Sequence, residues 1–525
     1  MEFLSNKNLK IFLIFLLIIF SYYCSVIIGI SWDELFEINR GQDRLMYIFS
    51  LGSYEVAPAQ NDKYYPGLYS TIAAFISNIL PKKYIYESFH IINNTFSILT
   101  IFGLYKLVKI LFNKYVGYLS FIILFFNPTF FGHMSMNPKD TIIAFSFTWT
   151  TVTLLRYLNN QNNLLKRKKL IIYGSLFIGL GLGTRIQFIG LLLPLFFYVL
   201  IFNYLKRDFS LSKFFIDTTK ILIISYFIMI ACWPQVHSNI FIEPFKIFFE
   251  QLKIHFGPAQ ILLNGKILST SEIPFYYIFL NLFYKSPEFL ILTYLFFLPI
   301  LVFDKKFIND EFNDFYSNIS LLLFIIILPT FFIIFSSYKV YDGLRLFLYI
   351  IPFFCVIPAF TIYYLIKKNK KLLSKFFLSL ITLFFVFYIY NFIKITPYQY
   401  TYFNLFAGNK ENLVKKFEID YWGVSLKDLI KEIVKKKYIK KNGFTHIAIC
   451  GMNSEIAKVE LKKYPKFKYK LKNYLNEKYD YVIMNNRPVF KDKNKIITCY
   501  EKFPIESIVD IKKNNIVISS FKKIY

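Results

Sequence analysis

The sequence predicts an all-α polytopic membrane domain of about eleven spans over residues 1–393, followed by an α/β soluble domain over 394–525. Three observations carry this. Apolar runs near the length of about 20 residues that crosses a bilayer recur from residue 11 to residue 393. Of the 525 residues, 55% are hydrophobic and 21% aromatic, far from the balance of an average soluble domain. From Lys394 onward the runs shorten, and Lys, Asn and Glu are interspersed among them.

The first run, 11–30, follows Lys7 and Lys10, is too long for a typical cleaved segment and lacks a small-residue cleavage site, so it reads as an uncleaved signal anchor. The remaining spans are expected at 89–111, 115–131, 141–158, 169–183, 186–204, 217–234, 287–303, 319–336, 346–366 and 375–393. One further run, 65–80, decides the orientation of all that follow. If it does not cross, the clusters Lys106/Lys109/Lys114, Lys166–Lys169, Lys206/Arg207/Lys213, Lys305/Lys306 and Lys367–Lys375 all share the N-terminal side, as the positive-inside rule expects. If it crosses, each later loop breaks that rule. Pro66 and Gly67 at its start and Pro81 after its end mark it instead as a helix lying along the outer interface. The N-terminus is then inside and the soluble domain outside, on the external or periplasmic face of a cell inner (plasma) membrane. Within that domain a helix is expected at Leu426–Lys437, with β-type runs THIAIC, YDYVIMNN, NKIITCY and NIVISSF.

The formal net charge of +29 does not indicate nucleic acid, because the basic residues sit in short clusters between apolar runs. No Gly-rich phosphate loop follows a strand, and the five cysteines show no metal-ligand spacing. Cys450 and Cys499 share the soluble domain, as a disulfide outside the cytoplasm or as two thiols. His133 and His237 have no recognisable ligand partner, so no metal ligand is assigned.

The uncommon polar residues fall on the outer face: Asp33 and Glu34 after the first span; His133, Asn137, Lys139 and Asp140 in the second loop; Arg185 in the third; and Tyr341, Asp342 and Arg345 in a later one. Ionisable groups at membrane depth or at helix ends are costly and pair or bind something. Acids beside cations suit a reaction in which a hydroxyl is deprotonated while a phosphate leaves, the carboxylate taking the proton and Lys and Arg holding the phosphate. The structural alternative is snorkelling residues and helix caps, with Asp140 capping the following span. Arg185, a lone cation between two closely spaced spans, needs a counter-charge that phosphate would supply.

The strings HMSMNPKDTIIAF (133–145), GLGLGTRIQFIGLLLP (179–194) and YDGLRLFLYIIP (341–352), with the acidic pair after the first span, resemble bacterial members of the GT-C superfamily of glycosyltransferases. The branch is the one containing dolichyl-phosphate-mannose protein mannosyltransferases and the lipid A aminoarabinose transferase. PYQYTYFNLFAG (397–408) and DYWG (420–423) look like the segment after the last span in bacterial relatives. The resemblance implies a polyprenyl-phosphate-linked sugar as donor, a lipid or protein acceptor, external juxtamembrane helices, Asp33 as general base and Glu34 as the neighbour positioning the acceptor. It sets Asp140 as the second-loop acid and Lys139 as a phosphate or sugar contact, and leaves a divalent metal open, since some members use one and others do not. Phosphate contacts by Arg185 and Arg345 are a physical reading added to it. A transporter or flippase of lipid-linked glycans is the rival class; it would show mid-span charges and two similar halves, and the sequence has no internal repeat.

Overall fold

The computed structural model describes residues 7–56, 62–203, 209–254, 257–270, 272–335, 339–436, 438, 444–489 and 496–524. The predicted basic pair Lys206/Arg207 and the last residues of the spans at 186–204 and 319–336 lie outside them. In chain order the helices are α1 (Lys7–Ile27), α2 (Glu34–Phe49), α3 (Leu68–Ser77), α4 (Ile85–Leu111), α5 (Lys114–Phe125), α6 (Pro128–His133), α7 (Asp140–Leu158) and α8 (Leu164–Thr184). They continue with α9 (Phe188–Leu191), α10 (Leu193–Tyr198), α11 (Leu211–Ile230), α12 (Glu243–Lys253), α13 (Tyr277–Lys285), α14 (Glu288–Phe303), α15 (Lys305–Glu311), α16 (Phe315–Phe335), α17 (Ile351–Phe354), α18 (Val356–Lys367) and α19 (Leu372–Lys394). A hairpin, β1 (Gln260–Leu263) and β2 (Lys266–Ser269), interrupts them.

Each expected span falls largely on helix, with turns inside 115–131, 186–204 and 346–366. Among the described residues four helical stretches are long and apolar enough to cross a membrane outright: Asn8–Ile27, Lys82–Leu111, Phe315–Phe335 and Leu372–Lys394. Others are shorter or broken, α9 and α10 by the Pro194 turn and α17 and α18 by Pro352 and Pro358 near their starts. The run at 65–80 becomes α3, ten residues long, which at about 1.5 Å per residue falls short of a bilayer. It packs against α2, α8 and α4. α8 lies between α7 and α11, α4 against α5 and α7, and α18 against α5 and α14. One apolar core joins these helices and reaches from Cys24 to Trp422 and Ile518.

Beyond α19, helix α20 (Leu426–Lys435) leads into β3 (Thr445–Cys450), α21 (Ser454–Lys462), β4 (Tyr469–Lys472), β5 (Tyr481–Asn485), α22 (Cys499–Lys502), β6 (Ser507–Lys513) and β7 (Ile516–Lys523). The sheet runs β4-β3-β5-β7-β6, with β3 parallel to β4 and β5, and β7 antiparallel to β5 and β6. Of the run NKIITCY, expected as a strand, Asn494 and Lys495 lie outside the described residues, Thr498 makes an isolated bridge to Pro488, and Cys499 starts α22, where Thr498 and Glu501 form a capping box that turns the chain into helix. A disulfide joins Cys450 and Cys499, with Cα atoms 5.9 Å apart. A second core includes Ile30 together with Leu429, Ile433, Ile447 and Phe521, so the loop after α1 packs into the domain that follows α19.

Candidate active site

Three loops meet where α1 ends. Asp33 occupies the N-cap position of α2 in a helical conformation and makes no side-chain capping bond, which leaves its carboxylate to face outward from the helix end. In the second loop Asn137 takes the capping work, its Oδ1 accepting from the amides of Asp140 (3.0 Å) and Lys139 (3.3 Å). Asp140 is therefore not the cap of α7, and its carboxylate is turned to arginines. The third contribution is a tight turn in which Asp342 (φ 56°) and Gly343 (φ 63°) are both left-handed, which brings Asp342 back onto Arg345 three residues on.

Arg345, only 3% exposed, binds all three acids: Nη2 to Asp33 (2.5 Å), Nε to Asp140 (3.1 Å) and Nη1 to Asp342 (2.9 Å). Lys139 Nζ lies 3.2 Å from Asp33 and 3.5 Å from Glu37, over the ring of Tyr65. Arg185, which ends α8, places Nη2 2.9 Å from the second oxygen of Asp140. The ring of Tyr341 lies 5.4 Å from the Arg345 guanidinium. Of the residues singled out in the sequence, Asp33, Lys139, Asp140, Arg185, Tyr341, Asp342 and Arg345 thus converge.

Glu34 does not join them. It is turned to α4 instead, accepting from the Ser31 amide (2.6 Å) and lying 2.7 Å from His90 Nε2. Glu37, one helical turn beyond Asp33, takes the inward place and accepts from Arg40 and Ser70. The i, i+3, i+6 spacing of Glu34, Glu37 and Arg40 was the available sign that one face of α2 is charged and buried. His133, which the motifs flagged without a role, meets the hydroxyl of Tyr421 at 2.7 Å, while the indole of Trp422 lies 4.5 Å from the Arg345 guanidinium.

The charges govern protonation. Burial alone would raise the Asp33 carboxyl, but Arg345 and Lys139 outweigh it and hold it well below the usual carboxylate range. Asp342 goes the other way: burial, with Glu418 nearby, pushes it up to about 6 against the pull of Arg345. His133 is pushed down to about 3 by burial and is neutral in the site. Among the described residues no cluster of three or more His, Cys, Asp or Glu offers a metal site.

Asp140 and Arg185 also line an open apolar groove, continued by Phe188, Leu191, Phe332 and Tyr349. The groove has a charged head and a greasy body, the shape an amphiphile with an anionic headgroup would fill.

Residues 71–233 match a family model described as dolichyl-phosphate-mannose-protein mannosyltransferase; the match contains Lys139, Asp140 and Arg185 and excludes Asp33 and Arg345. No curated protein matches the chain. Among solved structures, ArnT from Cupriavidus metallidurans bound to undecaprenyl phosphate is 11% identical, covering 98% of both chains with a TM-score of 0.50. The Archaeoglobus fulgidus oligosaccharyltransferase in its apo form is 11% identical over 89% of this chain and 69% of its own, with a TM-score of 0.47. The family match and the ArnT likeness agree with the resemblance carried by the motifs: the chain has the fold of GT-C glycosyltransferases, a helical membrane unit with a C-terminal sheet domain.

Proposed function

We propose that this chain is a membrane glycosyltransferase that moves a single sugar from a polyprenyl-phosphate donor to an acceptor hydroxyl, with inversion, on the external face. The observation that carries the reading is a continuous chain of charges, Asp33–Arg345–Asp140–Arg185, whose far end heads the apolar groove. A prenyl tail suits the groove, and its phosphate suits Arg185 and Lys139. ArnT, which shares the fold, was solved with undecaprenyl phosphate bound.

Every Arg345 nitrogen meets a carboxylate. A donor phosphate beside Arg185 competes for Lys139, and as the ammonium turns toward it Asp33 loses one of the two cations that depress it, while Arg345 stays in place. Asp33 then accepts the acceptor O–H proton while the oxygen attacks the anomeric carbon. The C–O bond to phosphate breaks on the opposite side, and polyprenyl phosphate leaves with its charge held by Arg185 and Lys139. Lipid A core, another glycolipid or a protein Ser/Thr would each present such a hydroxyl.

Asp33→Asn keeps the shape and removes the base. Transfer from a polyprenyl-phosphate sugar should fall by roughly 10²–10⁴-fold with expression and melting temperature maintained. Retained transfer would remove Asp33 from the base role.

A further inference from the structure

The segment Phe417–Trp422 runs as a strap between two folded pieces and lies against the charged cluster. On one side the β1–β2 hairpin holds it: Leu263 bridges Phe417, and the Gly265 amide donates to the Lys416 carbonyl at 3.1 Å. On the other side the C-terminal domain holds it. Arg487 Nη2 meets Glu418 at 2.6 Å, Arg487 Nη1 donates to the Tyr421 carbonyl at 2.7 Å, and the Asn485 amide donates to the Asp420 carbonyl.

What the strap delivers is Tyr421 and Trp422. The Trp422 indole lies 4.5 Å from the Arg345 guanidinium and its N–H donates to Asp342 at 3.3 Å; Tyr421 meets His133 across the same cluster. Three carboxylates meet the nitrogens of Arg345 and an indole packs against the group, so the plane of the fork is set as well as its position.

Arg487 is itself tied from behind. Its carbonyl accepts from the Cys499 amide at 2.8 Å, and Cys499 is bonded to Cys450 at the end of β3. Gly451 follows with φ 78°; a Cβ there would stand 2.5 Å from the Asn485 carbonyl oxygen and 3.0 Å from Cys499 Sγ, so the backbone closes tightly on this loop.

We infer that the C-terminal domain is a clamp on the transfer site, with Arg487 the positioning residue that anchors the strap and Trp422 the side chain that orients Arg345. The inference rests on the transferase reading for what Arg345 does, and on contacts alone for how it is held.

Hydrogen exchange on the full-length chain in detergent separates the two. In Arg487→Gln and in Trp422→Leu, exchange of the amides at 342–347 should speed up by about tenfold while β7 keeps its protection. In the same variants kcat should fall by about tenfold with the acceptor KM little changed, and Arg487→Lys, which keeps a cation for Glu418, should recover part of both effects. Unchanged exchange at 342–347 in both variants overturns the clamp, whatever transfer does. Loss of β7 protection in Arg487→Gln assigns that residue to the domain's own stability and overturns its anchoring role. An unaltered chain that transfers no sugar from any polyprenyl-phosphate donor sinks the transferase reading, and the exchange data still judge the clamp.

Discussion

Arg345 joins acids that the chain separates by 312 and 205 residues, and that is why its pairing with Asp33 and Asp140 could not be read from local spacing. The sequence does mark each member: Asp33, Asp140, Arg185, Asp342 and Arg345 stand out because ionisable groups at helix ends beside apolar runs are costly. Glu34, expected to position the acceptor, is occupied by Ser31 and His90, and Glu37, one turn on from Asp33, is the α2 acid that lies near Lys139. Arg345→Lys tests the fork. A point-like ammonium cannot serve three carboxylates at once, so about 3 kcal/mol of stability in detergent should be lost along with transfer. A Lys variant as stable as the parent would mean the three pairs contribute little. Asp342 carries a pH dependence with a definite sign. Its carboxyl, raised to about 6 by burial, is protonated at lower pH and then offers Arg345 Nη1 no charge. Transfer should therefore fall on the acid side of about 6, and Asp342→Asn should remove that inflection from the pH–rate profile. An inflection that survives in the Asn variant belongs to another group.

Among elements, long apolar runs were the most legible, because a chain in lipid has few ways to satisfy its backbone other than helix. Short β elements were harder. The β1–β2 hairpin went unread although Asn264-Gly265, both left-handed, sits between apolar residues and is the common two-residue turn signal. Thr498 to Glu501 spells a helix start inside a run whose β-branched residues suggested a strand. Helix α6 shows how closely an element near the site can be fitted. Gly132 packs directly on the backbone of the turn at Gln399–Thr401, where a Cβ would lie 2.2 Å from the Tyr400 nitrogen. Gly132→Ala must push α6 away from the Tyr400 backbone, and should lower stability by about 1–3 kcal/mol by detergent melting. A neutral result would show that α6 floats.

For the molecule as a whole, sidedness follows from one short element. α3 has ten residues, about half of what a crossing needs, and it packs with α2 near the Asp33 loop. If α3 stays on one face, the loops bearing Asp33, Lys139–Asp140, Arg185 and Asp342–Arg345 share that face, and the basic clusters at Lys106–Lys114, Lys166–Lys169 and Lys367–Lys375 share the other. Contacts across the site require the first half of this, since Arg345 cannot reach Asp33 and Asp140 from the opposite side of a bilayer. The charge rule assigns the face without those clusters to the outside. Topology reporters fused after Lys83 and after Asp140 should both read external, and one fused after Lys168 should read cytoplasmic. A cytoplasmic signal at Lys83 or Asp140 would break the assignment, and with it the external location of both the sugar transfer and the domain that clamps Arg345.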